Sequence, residues 1–320
     1  AWEGGGEYNV VRGLRRCFGM KTAVITAFAD NEVGKLMEDF ILQGGVDTSL
    51  INWKKTDGIG RICRNGINFT ERGFGIRGAV GCSDRANTAI AQATPEDFDF
   101  DYIFGELGVR WLHTGGIYAA LSEQSCETVL AAIKAAKKLG LTVSFDPNFR
   151  STLWSFETAR DVLSRYLPYV DVLIGIEPIH VYNADGTDVK DGLTMDPSFE
   201  DMDRVFKAID EQYHMKAIAR TVRYVHSGSN NSLKAFYYAD GKTYESKTLN
   251  FEIVDRVGGG DAFSSGLIYA LMQNDWKHED IVNFAVASSV MKHAIRGDTN
   301  ITSVDQIKRL MNNASFDVQR

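Results

Sequence analysis

The chain has 320 residues, 44% of them hydrophobic and 24% charged, with a formal net charge of −7. That is the composition of a globular protein long enough for one large domain or two ordinary ones. The acidic balance and the lack of a basic run argue against a nucleic-acid partner, and no apolar segment approaches the ~20 residues that span a bilayer.

The chain opens Ala1-Trp2-Glu3, with neither Met nor a secretory apolar region, and reads as one whose first segment lies outside the sequence. From residue 20 onward, short apolar runs alternate with amphipathic segments, the rhythm of an α/β sheet. Ala23–Ala27 reads as a strand and Glu32–Gln43 as a helix stopped by Gly44-Gly45. Residues 54–88 break the rhythm: they are rich in Gly and Arg and alternate only over Gly66–Thr70 and Ile76–Val80. Such a segment is too short for its own core and reads as a small β-flap laid over a cleft. The expected organisation is therefore one α/β domain, residues 1–53 and 89–320, with a lid at 54–88.

Further on, Trp111–Thr114 reads as a strand and Glu123–Leu139 as a helix with Val129, Ile133 and Ala136 on one stripe. Leu141–Phe145 is a buried strand ending at Asp146-Pro147-Asn148. Ser155 is placed to cap a helix over Phe156–Leu167, before a strand at Val170–Ile174. Open α/β sheets bind ligands at the carboxyl ends of their strands, which puts His113, Asp146, Asn148 and Arg150 near a cleft. For His113, a satisfied polar residue is an alternative to a catalyst. Lys216–Arg220 reads as a strand, and Leu233–Tyr238 with Lys242–Tyr244 as a hairpin across Asp240-Gly241. Cys17, Cys63, Cys82 and Cys126 are scattered without CxxC spacing, so reduced thiols in a cytoplasmic protein are expected.

The most informative stretch is Asp255-Arg256-Val257-Gly258-Gly259-Gly260-Asp261, which runs directly into a helical pattern over 262–273. Glycines let backbone N–H groups converge on an anion, and a helix start adds its unpaired first-turn N–H groups and positive dipole end. Asp261 beside them is placed to meet a hydroxyl next to a phosphate, and the dipole predicts an ionised carboxylate at neutral pH. Anion cradle and carboxylate together point to phosphoryl transfer. A tight turn with an Asp cap would look the same in isolation.

The loop resembles the D-T-x-G-A-G-D signature of the ribokinase-like (PfkB) sugar kinases, with Arg256 for Thr and Gly259 for Ala. Gly5-Gly6-Glu7-Tyr8-Asn9-Val10 resembles that family's G-G-x-x-x-N signature. Within the family, Ser83-Asp84-Arg85-Ala86, Asp146-Pro147-Asn148-Phe149-Arg150, Val225-His226-Ser227 and Lys292-His293 resemble segments of the 2-keto-3-deoxygluconate kinases. The resemblance implies a three-layer α/β/α sandwich with a mostly parallel sheet and a β-flap lid. It also implies a strand and part of the flap ahead of the first signature, which this sequence does not contain.

The implied activity is ATP-dependent phosphorylation of a primary hydroxyl on a small sugar acid, 2-keto-3-deoxygluconate first. Asp261 would take the proton, and the amides of Gly258, Gly259 and Gly260 would hold the phosphoryl group. Gly5, Gly6 and Asn9 would contact the sugar, with Arg85 and Arg150 on its acidic end. Ser227, Gly228, Gly258, Gly260 and Lys292 would line the nucleotide site, and a homodimer through the lid is implied by analogy. Asn68 and Ser83 stand where the subfamily has tyrosines, which keeps a neutral-sugar kinase, for fructose for example, open. Ile176-Glu177-Pro178-Ile179 replaces the family's N-x-x-E metal motif, so Glu177 is the remaining candidate ligand for Mg2+. A sugar- or nucleotide-binding relative without turnover is the further alternative.

Overall fold

The computed structural model describes residues 1–312. Helix α1 (Gly6–Arg16) starts directly after Gly5, whose φ of 140° suits glycine alone. Strand β1 (Thr26–Ala29) pairs in parallel with β2 (Ile51–Lys54), and α2 (Glu32–Gly44) connects them. Asn31 caps α2 by accepting the Gly34 N–H, and Gly45 ends it in the left-handed conformation. Strands β3 (Ile67–Glu71) and β4 (Val80–Asp84) pair antiparallel as the flap. Then follow β5 (Trp111–Gly115), α3 (Gly116–Ala119), α4 (Glu123–Lys138), β6 (Thr142–Asp146), α5 (Phe156–Ser164), β7 (Val172–Ile174) and α6 (Phe199–Tyr213). The chain continues through β8 (Ala217–Val225), β9 (Asn230–Ala239), β10 (Lys242–Glu245), β11 (Leu249–Glu252), α7 (Gly259–Leu271), α8 (His278–His293) and α9 (Val304–Met311).

Strands β5, β6, β7 and β8 lie side by side in parallel. Strand β9 turns antiparallel to β8, and β10 and β11 both pair with β9. The two-residue side-chain period sorts the core into two layers. Phe145, Leu173, Phe236 and Tyr238 pack with Ile133 of α4, Leu163 of α5 and Phe206 of α6. Val172, Ile174, Ala235 and Tyr237 point the other way, against Leu267 of α7 and Phe284 of α8. Burying both faces is what a parallel sheet requires, and the result is the expected three-layer sandwich.

Three boundaries differ from expectation, each for a local reason. The strand expected at Ala23–Ala27 forms at Thr26–Ala29, since the ladder to β2 begins at Thr26 and Ala23 makes only an isolated bridge to Asp47. The helix expected to reach Leu167 stops at Ser164, because the ring of Pro168 clashes with the carbonyl four residues back. Around Ile76 the chain makes a tight Phe74–Arg77 turn over Gly75, with φ of 57°, and the strand begins only at Val80. Helix α8 carries no readable stripe, since Val282, Phe284, Ala285 and Val286 are all buried.

Candidate active site

The carboxyl ends of β5 and β6, the flap, the start of α1 and the glycine loop border an open cavity of about 2080 Å3 that also runs along β1, α2 and residues 98–112. Asp261 occupies the first turn of α7, where the left-handed Gly258 (φ 78°) swings the chain into the helix. A Cβ on Gly258 would lie 1.8 Å from the Asp298 carbonyl oxygen, and one on Gly259 would lie 2.3 Å from the His293 ring, so both glycines are demanded by packing. Gly260 meets nothing within 4 Å and presents its backbone to the cavity. Asp255 braces the loop, accepting from the Val257 N–H at 3.3 Å and the Gly297 N–H at 3.1 Å.

Asn9, buried on α1, donates its Nδ2 to Asp261 Oδ2 at 2.7 Å. Its contact is thus with the carboxylate, while its Oδ1 is buried without a partner. Burial pushes the Asp261 carboxyl up to about 7, against the Asn9 hydrogen bond that lowers it. The ionised group expected beside a helix dipole is therefore poised near neutrality. Desolvation of the half-buried carboxyl packed against α1 outweighs the field of one helix terminus. Asp146, at the end of β6, is likewise pushed up to about 7 by burial and then by Asp261, while the Asn148 N–H at 3.0 Å lowers it.

Arg85 and Arg150 both line this cavity. Arg85 Nη2 donates to Ser83 Oγ at 2.9 Å, and Arg150 Nη1 to the Phe149 carbonyl at 2.9 Å. Among the described residues neither pairs with a carboxylate, and burial and then the Arg150 charge lower the Arg85 pKa. Asn68 and Ser83 face each other across the flap, with Ser83 Oγ donating to Asn68 Oδ1 at 2.6 Å. Asn68 lines the cavity, whereas Ser83 supports Asn68 and Arg85 from the side.

Gly5, Gly6, Asn9, Arg85, Arg150, Gly258, Gly259, Gly260 and Asp261 thus come together around one space. Other candidates stand apart from it. Gly228 donates its N–H to the Gly75 carbonyl at 2.6 Å, and the Ser229 Oγ accepts the Gly75 N–H, so Ser227 and Gly228 lie under the flap tip. Lys292 is fully buried behind the loop, with Nζ donating to the Ile295 carbonyl at 3.2 Å. Glu177 follows β7 outside the cavity, its carboxyl pushed up to about 7 by burial and drawn down first by Lys190. Among the described residues no group of three His, Cys, Asp or Glu side chains is placed to hold a metal. Glu177 therefore has no chelating cluster around it among the described residues. His113 Nδ1 is satisfied by Ser144 Oγ at 2.8 Å, and burial lowers its pKa to about 4.

Several residues were given no role from sequence. Glu7 reaches the site with Oε1 buried and unpartnered, its pKa raised by burial. Counting the G-G-x-x-x-N spacing back from Asn9 gives Gly4 and Gly5 rather than Gly5 and Gly6. A Cβ on Gly4 would lie 2.4 Å from Asp298 Oδ2. That signal was present in the spacing. Arg223 and Arg256 also line the cavity, and nothing in the pattern around Arg223 marks it.

Residues 3–303 match the model of the pfkB family carbohydrate kinases. The chain is 25% identical over 316 residues to a 2-dehydro-3-deoxygalactonokinase of Haloferax volcanii, covering 99% of this chain and 89% of that one. It is 29% identical over 290 residues to a 5-dehydro-2-deoxygluconokinase of Geobacillus kaustophilus, covering 89% and 77%. A crystal structure of 2-dehydro-3-deoxygluconokinase from Thermotoga maritima superposes with a TM-score of 0.84 at 32% identity, covering 97% of this chain and 89% of that one. The sandwich is thus of the ribokinase-like kind, and the chain belongs to the pfkB family of carbohydrate kinases.

Proposed function

We propose that this kinase uses ATP to phosphorylate the primary hydroxyl of a small sugar acid, with 2-keto-3-deoxygluconate as first choice and its 6-phosphate as product. The carrying observation is the pair Arg85 and Arg150, two cations on one cavity that make no direct ion pair among the described residues, Glu7, Asp146 and Asp261 acting on them only through the field. A substrate carboxylate completes the set with charge-assisted hydrogen bonds.

Asp261, held by Asn9, accepts the hydroxyl proton as the oxygen attacks the terminal phosphorus and the bond from that phosphorus to the bridging oxygen breaks, releasing ADP. The amides at Gly258–Gly260 and the start of α7 hold charge on the transferring group, with Ser227, Gly228 and Lys292 on the nucleotide side. Gly5 and Gly6 form the sugar-side wall, with Asn68 and Ser83 setting its polarity. Magnesium would be carried by the nucleotide's phosphates and water rather than by a carboxylate set around Glu177. Residues 54–88 act as the lid, a homodimer forms through it, and the four free cysteines fit a cytoplasmic location.

Fructose is the competing substrate, favoured by the phenol-free Asn68–Ser83 wall. Comparing kcat/KM on the keto-acid and on fructose separates the readings. The wild type is expected to prefer the acid, and Arg85→Ala to lose roughly 100-fold on the acid alone. An Arg85→Ala enzyme that turns both over like the wild type would sink the carboxylate clamp.

A further inference from the structure

A second pair of cations lies by the glycine loop. Arg223 comes from β8 and Arg256 from the loop itself, and both side chains line the cavity. Among the described residues neither makes an ion pair or a side-chain hydrogen bond; the carboxylate of Asp255 is engaged by the Val257 and Gly297 N–H groups and lies 4.0 Å from Arg72 on the flap. Burial and then the Arg256 charge lower the Arg223 pKa. Behind the pair, His293 is fully buried, with Nδ1 on the Ser289 carbonyl at 2.7 Å and Nε2 unpartnered. Burial and then Arg223 lower its pKa to about 4, so it stays neutral and leaves the positive charge to the arginines.

Two guanidiniums on one cavity, neither of them ion-paired among the described residues, suit a multivalent anion, and their planar forks match phosphate oxygens. The amides of the glycine loop lie on the same cavity, with Gly260 facing open space. Resting on the kinase reading above, we propose that Arg223 and Arg256 form a polyphosphate clamp that grips the two terminal phosphates of the nucleoside triphosphate. The clamp supplies from side chains the positive charge that the carboxylate set around Glu177 does not bring through a metal. The two cation pairs then divide the substrates between them. Arg85 and Arg150 take the carboxylate of the acceptor, while Arg223 and Arg256 take the donor's phosphates.

The test is calorimetric titration of the whole chain with ATP, adenosine and inorganic tripolyphosphate, without and with magnesium, for the wild type, Arg223→Gln, Arg256→Gln and the two lysine variants. The clamp predicts that the wild type binds tripolyphosphate without magnesium. Each glutamine variant should lose roughly tenfold or more in affinity for ATP and tripolyphosphate, with adenosine unchanged and lysine restoring part of the loss. Because neither side chain holds a protein partner among the described residues, the ligand-free glutamine variants should melt no lower than the wild type, whereas a purely structural role would lower their Tm. Glutamine variants that hold tripolyphosphate as tightly as the wild type, or a wild type that binds none, overturn the clamp. ATP and tripolyphosphate binding that is lost in the variants, in a wild type that transfers no phosphoryl group to the keto-acid, leaves the clamp standing and removes the sugar-acid reading instead.

Discussion

Asp261 stands at the start of a helix, whose dipole favours a carboxylate, and half-buried on the cavity wall, where desolvation opposes one. Burial wins, and its carboxyl is pushed up to about 7. A base must be unprotonated, so its working fraction falls about tenfold per pH unit below that value. kcat/KM should therefore climb as pH rises through about 7 and level off above it. Asp261→Asn should still bind ATP and sugar while losing roughly 100-fold or more in kcat. A rate that is flat from about pH 5 to about pH 8, or an Asn variant with wild-type kcat, would remove Asp261 as the base. The residue itself was legible from the Gly-Gly-Gly-Asp spacing. Its charge was not, because it depends on Asn9, Glu7 and Asp298 packed around it from elsewhere in the chain.

The glycine loop and α7 act as one element, yet their glycines do different jobs. Gly258 has φ 78° and sits against the Asp298 carbonyl, so Gly258→Ala meets both a left-handed backbone and a collision. That change should cost about 2 kcal/mol or more and lower Tm. Gly260 is helical with open space around it, so Gly260→Ala should keep the wild-type Tm while its methyl group narrows the cradle and lowers kcat/KM. Equal melting losses in the two variants would contradict this division. Three consecutive glycines announce a close approach to something. Which of them meets the protein and which meets the ligand depends on Asp298 and His293, both far along the chain.

Across the whole molecule, the flap is the part least accounted for by the core. Phe69, Phe74 and Ile76 on it are 65%, 80% and 107% exposed, and a second copy of the lid would cover them. Sedimentation velocity should find a dimer for the wild type and a monomer for Phe69→Ser combined with Ile76→Ser. A monomeric wild type would end that proposal. The flap tip also reaches Ser229 and Gly228, so the lid touches the segment expected on the nucleotide side.

Much of the alternation of helices and strands, the cap at Ser155, the Asp240-Gly241 hairpin and both kinase signatures could be read from the amino-acid sequence by itself. These signals are short-ranged: a period of side chains, a cap two or three residues from its amide, a glycine where the backbone must turn. The placement of Glu177 outside the cavity, Lys292 behind the loop, and Arg223 on the same cavity as Arg256 came only from the tertiary structure, as did the raised pKa of Asp146 and Asp261. Burial and electrostatic field at one atom are sums over groups brought together by the whole fold, and no local pattern encodes that sum.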